Sequence, residues 1–116
     1  MPDNNCLFCK IIAGDIPAEL VHQDERLIAI RDLHPQAPLH VLVMPREHME
    51  SLDEASAKDE ALLGHLLRVA ARIANDGGHG DSGYRAVINT GAGAGQSVFH
   101  LHVHVLAGRP MHWPPG

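Results

Sequence analysis

Phe99-His100-Leu101-His102-Val103-His104-Val105-Leu106 sets three imidazoles in strict alternation with apolar side chains. Successive side chains of a strand point to opposite faces. The spacing therefore predicts a strand with His100, His102 and His104 on one face, about 7 Å apart, and Phe99, Leu101, Val103 and Val105 on the other. Thr, Lys or Glu would make such a face soluble; imidazole adds a neutral nucleophile, a proton donor and acceptor near pH 7, or a metal ligand. Three readings compete. The histidines are incidental to an exposed strand, or they hold a metal through the familiar i, i+2 pair, or one of them attacks a phosphorus centre. Strict alternation beside an apolar face goes beyond what a chain with ten histidines would scatter by chance. The stretch after His104, Val105 to Pro110, holds no Asp or Glu, which weighs against a catalytic metal.

The preceding loop favours the third reading. Asn89-Thr90-Gly91-Ala92-Gly93-Ala94-Gly95-Gln96-Ser97 offers glycines through which backbone N–H groups approach an anion. Gln96 and Ser97 add side-chain donors at the entrance to the histidine row. A phosphate cradle beside a row of imidazoles is the arrangement that attack on a phosphate requires. A flexible hairpin loop is the plain alternative for the glycines taken alone.

The remaining elements must carry this row. Leu7, Phe8, Ile11 and Ile12 recur at helical spacing over residues 5–14, with Gly14 as terminator. Ala18–His22 reads as extended, with a turn at Gln23-Asp24-Glu25. Leu27–Asp32 reads as a second strand stopped by the Pro-rich Leu33–Pro38, and Leu39–Met44 as a third ended by Pro45. One long helix is expected over about Ala57–Asn75, with Leu62, Leu66, Val69, Ala70, Ile73 and Ala74 as its apolar stripe and Gly77-Gly78 at its end. Tyr84–Asn89 completes the strands. The pattern implies one α+β domain over residues 1–116, built on a five-stranded, mostly antiparallel sheet with one long and one short helix.

With 116 residues the chain has room for one core. Its net charge of −5 argues against nucleic-acid partners, which demand a basic stripe. No apolar run approaches the ~18 residues of a membrane span, and Met1-Pro2-Asp3-Asn4-Asn5 lacks the basic start and apolar run of a secretion signal. A cytoplasmic protein is expected, in which Cys6 and Cys9 are thiols or metal ligands rather than a disulfide. The C-x2-C pair taken alone leaves zinc binding and two reduced thiols both open.

His100-Leu101-His102-Val103-His104-Val105-Leu106 resembles the signature of the histidine triad superfamily of nucleotide hydrolases and transferases. The similarity extends over Phe8-Cys9-Lys10-Ile11-Ile12, Pro35-Gln36-Ala37-Pro38 and Gly95-Gln96-Ser97-Val98. The ending Met111-His112-Trp113-Pro114-Pro115-Gly116 is similar to that of the purine nucleoside phosphoramidases. The resemblance implies a homodimer with a shared ten-stranded sheet. The implied substrate is an AMP-type purine nucleotide, such as an adenosine phosphoramidate or an aminoacyl adenylate. By that resemblance His102 attacks the α-phosphorus and forms a nucleotidyl-imidazole that water hydrolyses. Ser97 would bond the leaving amine, His104 and Gln96 the phosphate, and Asp32 the ribose hydroxyls. Leu33 would line the base pocket, with Gly95 and Asn89 at ligand-contacting positions, and His40 would bond within the triad.

The chemistry of the residues agrees: a neutral imidazole needs no metal activation, and its second nitrogen must keep a proton on an acceptor. Asp32 reads equally as a turn former, and His40 as a satisfied core residue. Resemblance to bacterial members also implies one structural zinc per chain on Cys6, Cys9, His48 and His100, a closed Cys2His2 set with no catalytic metal. In similar enzymes the tail crosses to the other protomer, where Trp113 would shape the leaving-group pocket; a frayed terminus is the plain alternative. A nucleotide-binding or partner-interaction module with vestigial hydrolysis is the rival to the enzyme.

Overall fold

A computed structural model describes residues 5–116; Met1–Asn4, part of the stretch read above for a secretion signal, lie outside the described residues. The elements run α1 (Leu7–Ile12), β1 (Leu20–Gln23), β2 (Leu27–Arg31), β3 (Leu39–Pro45), α2 (Glu60–Asp76), β4 (Tyr84–Val87) and β5 (Val103–Ala107), with short 3-10 turns at Leu52–Glu54, Ala57–Asp59 and Ala92–Ala94. The five strands lie in the order β1-β2-β3-β5-β4. Every neighbouring pair is antiparallel.

The central strands are apolar on both faces because each face is covered. Leu27 and Ala29 of β2, Val41 and Val43 of β3, and Val103 and Val105 of β5 pack with Leu66, Val69, Ala70, Ile73 and Ala74 of α2. Ile28, Ile30, Leu42 and Met44 point the other way, onto Phe8, Cys9 and Ile11 of α1. Period-2 alternation on the strands and the long stripe of α2 are thus two halves of one packing pattern. No helix among the described residues is long and apolar enough to cross a membrane.

The first strand runs Leu20–Gln23 rather than Ala18–His22 and the fourth ends at Val87 rather than Asn89; three further differences have a visible physical cause. The long helix begins at Glu60 rather than Ala57, because the Asp59 carboxylate accepts the Ser56 N–H at 2.9 Å and holds a 3-10 turn there. The short helix stops at Ile12. The Asp15 N–H then bonds the Lys10 carbonyl (2.9 Å) and the Gly14 N–H bonds the Ile11 carbonyl (3.0 Å), a closure that requires the positive φ of +86° at Gly14. The third concerns the histidines themselves. The ladder of β5 starts only at Val103, so Phe99–His102 is not strand. The Leu101 N–H bonds the Met49 carbonyl at 2.7 Å instead of a sheet neighbour. Phe99 is correspondingly exposed and does not join Leu101, Val103 and Val105 in the core.

Candidate active site and a Cys-His cluster

β5 turns Val103 and Val105 toward α2, which leaves His102 and His104 facing α1. Their ring centroids are 4.9 Å apart. Phe8 of α1 stands edge-on to His102 with centroids 5.0 Å apart. Between α1, the end of β2 and the Gly-rich loop lies a cavity of about 320 Å³. His102, His104, Ser97, Asn89, Gly95, Asp32 and Leu33 all line it. Its apolar wall comes from Phe8, Ile11, Ile30 and Leu42, and its mouth from Arg31 and His34. The sequence reading assigned none of these six to the site. The helical stripe and the strand alternation placed the four apolar residues in a core, and residues at the rim of a core serve a cavity equally well. Nothing in the sequence around His34 marks it.

Hydrogen-bond partners assign a tautomer to each ring. A carbonyl only accepts, so the 2.6 Å contact from His102 Nδ1 to the His100 carbonyl oxygen makes Nδ1 the donor. In the neutral ring Nε2 then carries a bare lone pair. Burial lowers the pKa of His102 from its ordinary value, against the pull of that carbonyl and of the Asp32 carboxylate, so the neutral ring is favoured near pH 7. His40 lies one layer behind the cavity. The Gln36 N–H donates to its Nδ1 at 3.0 Å, so its Nε2 holds the proton and donates to His104 Nδ1 at 2.9 Å. His104 must therefore carry its own proton on Nε2. Burial, then the neighbouring His102 and His40, press the pKa of His104 down to about 4. One neutral ring thus presents a lone pair at the cavity and its neighbour presents an N–H.

Asp32 fulfils both of its readings. Oδ1 accepts the His34 N–H at 2.8 Å, a turn-forming bond, while Oδ2 lies 3.3 Å from His40 Nε2. Asp32, His40 and His104 bring three potential ligand atoms together. His40 is unsuited to ligation there, because its single lone pair already accepts from Gln36 and its other nitrogen holds a proton.

Two expectations are corrected. Gln96 does not face the cavity. It is buried, with Oε1 accepting the Gly91 N–H (2.8 Å) and Nε2 donating to the carbonyls of Glu50 (2.7 Å) and Val98 (3.2 Å). Its capacity is consumed in shaping the loop. The glycine amides are likewise not an open cradle: the N–H groups of Ala94, Gly95 and Gln96 bond loop carbonyls at Gly91 and Ala92. Among the described residues the amides of Ala92, Gly93, Ser97 and Val98 have no hydrogen-bond acceptor. Trp113 is 83% exposed and does not line the cavity of its own chain. The tail runs beside β4 and β5, where Arg85 donates to the His112 carbonyl at 2.8 Å.

At the α1 end of the same face, Cys6, Cys9, His48 and His100 converge, their ligand atoms all within 4.8 Å of one another. His100 Nδ1 is 3.5 Å from each sulfur, His48 Nδ1 is 3.3 Å from Cys9 Sγ, and the two Nδ1 atoms are 3.2 Å apart. Sulfur and nitrogen ligands of a tetrahedral zinc sit about 2.3 and 2.05 Å from the ion, hence about 3.3–3.8 Å from one another. The observed spacings are close to those edges. His100 Nε2 donates to the Pro45 carbonyl at 2.8 Å, so its Nδ1 is a bare lone pair aimed at the cluster, as ligating histidines are held elsewhere. Burial pushes the Cys6 thiol up and the His100 ring down to about 4; a bound cation would favour the thiolate and the neutral ring that ligation needs. The donor set fits a structural zinc and leaves no position for a substrate.

An α+β sheet with histidines 102 and 104 facing a small cavity defines a class that comparison with known proteins identifies. The HIT domain family model matches residues 13–111. An uncharacterized HIT-like protein of Synechocystis sp. is 52% identical over 110 residues, covering 95% of this chain and 96% of its own. Among solved structures, a HIT family hydrolase from Legionella pneumophila superposes with a TM-score of 0.94 at 46% identity, covering 97% of this chain and 100% of its own. A histidine triad protein from Clostridium difficile gives 0.92 at 40% identity, with 97% of each chain covered. The chain belongs to the HIT family.

Proposed function

We propose that this chain is a nucleotide hydrolase that cleaves the P–N bond of adenosine 5′-phosphoramidates, and the acyl-phosphate bond of aminoacyl adenylates, to AMP. The observation that carries the reading is the 2.6 Å bond of His102 Nδ1 to the His100 carbonyl, which leaves Nε2 bare at a cavity lined by Ser97, His104 and Asp32. The HIT family hydrolases from Legionella pneumophila and Clostridium thermocellum support hydrolysis as the reaction type.

In the first step the Nε2 lone pair forms a bond to the α-phosphorus, the P–N bond breaks, and the amine departs with a proton drawn from solvent through the Ser97 hydroxyl. In the second, water supplies hydroxide to phosphorus, the P–Nε2 bond breaks to restore the neutral imidazole, and the water's remaining proton returns to solvent. The Nε2–H of His104 and the amides of Ser97 and Val98 serve the non-bridging oxygens, whose charge shifts during transfer. Asp32 takes the ribose hydroxyls, Leu33 and Ile30 flank the purine, and Asn89 and Gly95 complete the wall. Zinc held by Cys6, Cys9, His48 and His100 would be structural and would fix α1 to the sheet. Two copies pair through the open edge of β4 into a ten-stranded sheet, which carries each exposed Trp113 toward the partner's leaving-group pocket. Two buried free thiols suit the reducing cytoplasm.

The test is turnover of a tryptamine adenosine phosphoramidate by the native chain and by His102→Ala. Loss of at least three decades in kcat/KM with AMP still bound, since a covalent nucleophile has gone, is the expected result. Retained turnover in the variant refutes covalent catalysis. Tight AMP binding with negligible native turnover would establish a binding module instead.

A further inference from the structure

Asp32, His40 and His104 form a chain of contacts behind and beside the cavity. His40 has one N–H to give, because its Nδ1 accepts the Gln36 N–H at 3.0 Å. The other nitrogen, Nε2, lies 2.9 Å from His104 Nδ1 and 3.3 Å from Asp32 Oδ2, so one proton stands before two acceptors. Of the two carboxylate oxygens, Oδ1 already takes the His34 N–H at 2.8 Å. Oδ2 therefore has the greater capacity left for a sugar hydroxyl, and it is the oxygen beside His40. We infer that Asp32 is a positioning residue for His104 as well as a ribose ligand: a diol seated on Oδ2 withdraws it as an acceptor and commits the His40 proton to His104. The inference rests on the nucleotide-hydrolase reading above.

The competition is real because the two acceptors differ in kind. His104 Nδ1 is nearer, but it is a neutral lone pair, whereas Asp32 carries a full charge, and charged acceptors draw a proton more strongly. The carboxylate is 19% and the His40 side chain 4% exposed, so little water screens the one from the other. A hydroxyl donated to Oδ2 engages that charge and weakens its pull on His40. His104 Nδ1 then accepts undivided, which keeps the proton of His104 on Nε2. Burial presses the pKa of His40, His102 and His104 down, and the Asp32 carboxylate pulls each of them back up, which agrees with a single acid that acts on the whole row. Recognition of the sugar is thus converted into rate, and not into affinity alone.

The experiment compares the tryptamine phosphoramidates of adenosine and of 2′,3′-dideoxyadenosine, with kcat and KM read separately. In the native chain kcat should be about three- to tenfold lower for the dideoxy compound, the range of one hydrogen bond. Asp32→Asn keeps the turn, since its Oδ1 can still accept the His34 N–H, and removes the competing charge. There, and in His40→Leu, the ratio of the two kcat values should lie near one. A native deficit confined to KM, or a kcat ratio that persists in both variants, overturns the inference. Ring nitrogen chemical shifts of the histidines, with AMP or 2′,3′-dideoxy-AMP bound to the native chain, decide the same question without turnover. AMP should move His104 toward a bare Nδ1 and a protonated Nε2, and the dideoxy nucleotide should not. Identical His104 shifts in the two complexes overturn the coupling. If the native chain hydrolyses neither compound, the phosphoramidase reading falls instead, while the shifts still decide the coupling.

Discussion

Gln96 separates two accounts of the Gly-rich loop, and Gln96→Ala decides between them. The side chain is 4% exposed and makes three bonds, to the Gly91 N–H and to the carbonyls of Glu50 and Val98. Truncation removes all three and leaves two carbonyls and one amide without their partner in a closed pocket. Each bond contributes about 1 kcal/mol net, and stranded groups cost about 1–3 kcal/mol unless water enters. A loss of about 2–4 kcal/mol is expected after partial relaxation. Unfolding entropy of about 2.1 cal/mol/K per residue gives roughly 0.24 kcal/mol/K for 116 residues. The melting temperature should therefore fall by about 8–16 °C, measured by calorimetry at one fixed metal concentration. Gln96→Glu should also destabilise, because a carboxylate oxygen would then face two carbonyl oxygens. If Gln96 instead served the phosphate, stability would hold while KM rose. A melting temperature within 2 °C of the native value would refute the loop-staple account.

Further outcomes follow from the other side chains. His40→Leu deprives His104 of the donor that fixes its tautomer, and kcat should fall about 10- to 100-fold with KM little changed, since His40 lies behind the cavity; an unaltered kcat argues against the relay. Metal analysis should find about one zinc per chain, and Cys9→Ser should lose it together with about 4 kcal/mol of stability where free zinc had exceeded its Kd a thousandfold; a folded, zinc-free native protein would remove the metal. Burial pushes the Asp24 carboxyl up, but bonds from His65, the amides of Arg26 and Leu27, and His22 outweigh it and hold the group well below the usual range. Its stabilisation is thus present above the unfolded value near pH 4 and is lost as pH falls toward the folded one. Asp24→Asn should be less stable than native protein at pH 7, with the gap in urea midpoints narrowing steadily as pH falls below 4; a gap independent of pH contradicts the linkage.

The strands were legible because burial on two faces imposes a period of two, and α2 because its stripe runs the full length of the element. What the histidine alternation reported was side-chain facing, not backbone pairing. Leu101 still enters the core and His102 still faces α1, yet the backbone is held by the Met49 carbonyl at Leu101, and by Gln96 at Val98 just before it, rather than by a ladder. Local pattern cannot distinguish those two anchors. Gln96 misled for a related reason: its decisive partner, the Glu50 carbonyl, lies 46 residues away. A glutamine beside glycines looks the same in sequence whether it serves a ligand or a fold. His40, by contrast, needed the family resemblance, since a strand histidine carries no local mark of what it touches.

The three histidines of the triad divide their work by what their second nitrogen and carbonyl do. His104 receives a proton direction from His40, and His102 receives one from the backbone of His100. His100 is therefore engaged twice: its ring is fixed among Cys6, Cys9, His48 and the Pro45 carbonyl, while its own carbonyl oxygen fixes the tautomer and plane of His102. One residue thus joins the two sites, its ring in the Cys-His cluster and its carbonyl on His102 Nδ1. The cluster and the cavity are then one construction. Loosening the first should broaden the orientation of the second before it unfolds the sheet, since β3 and β5 are paired from Leu39 to Val43 independently of either cysteine.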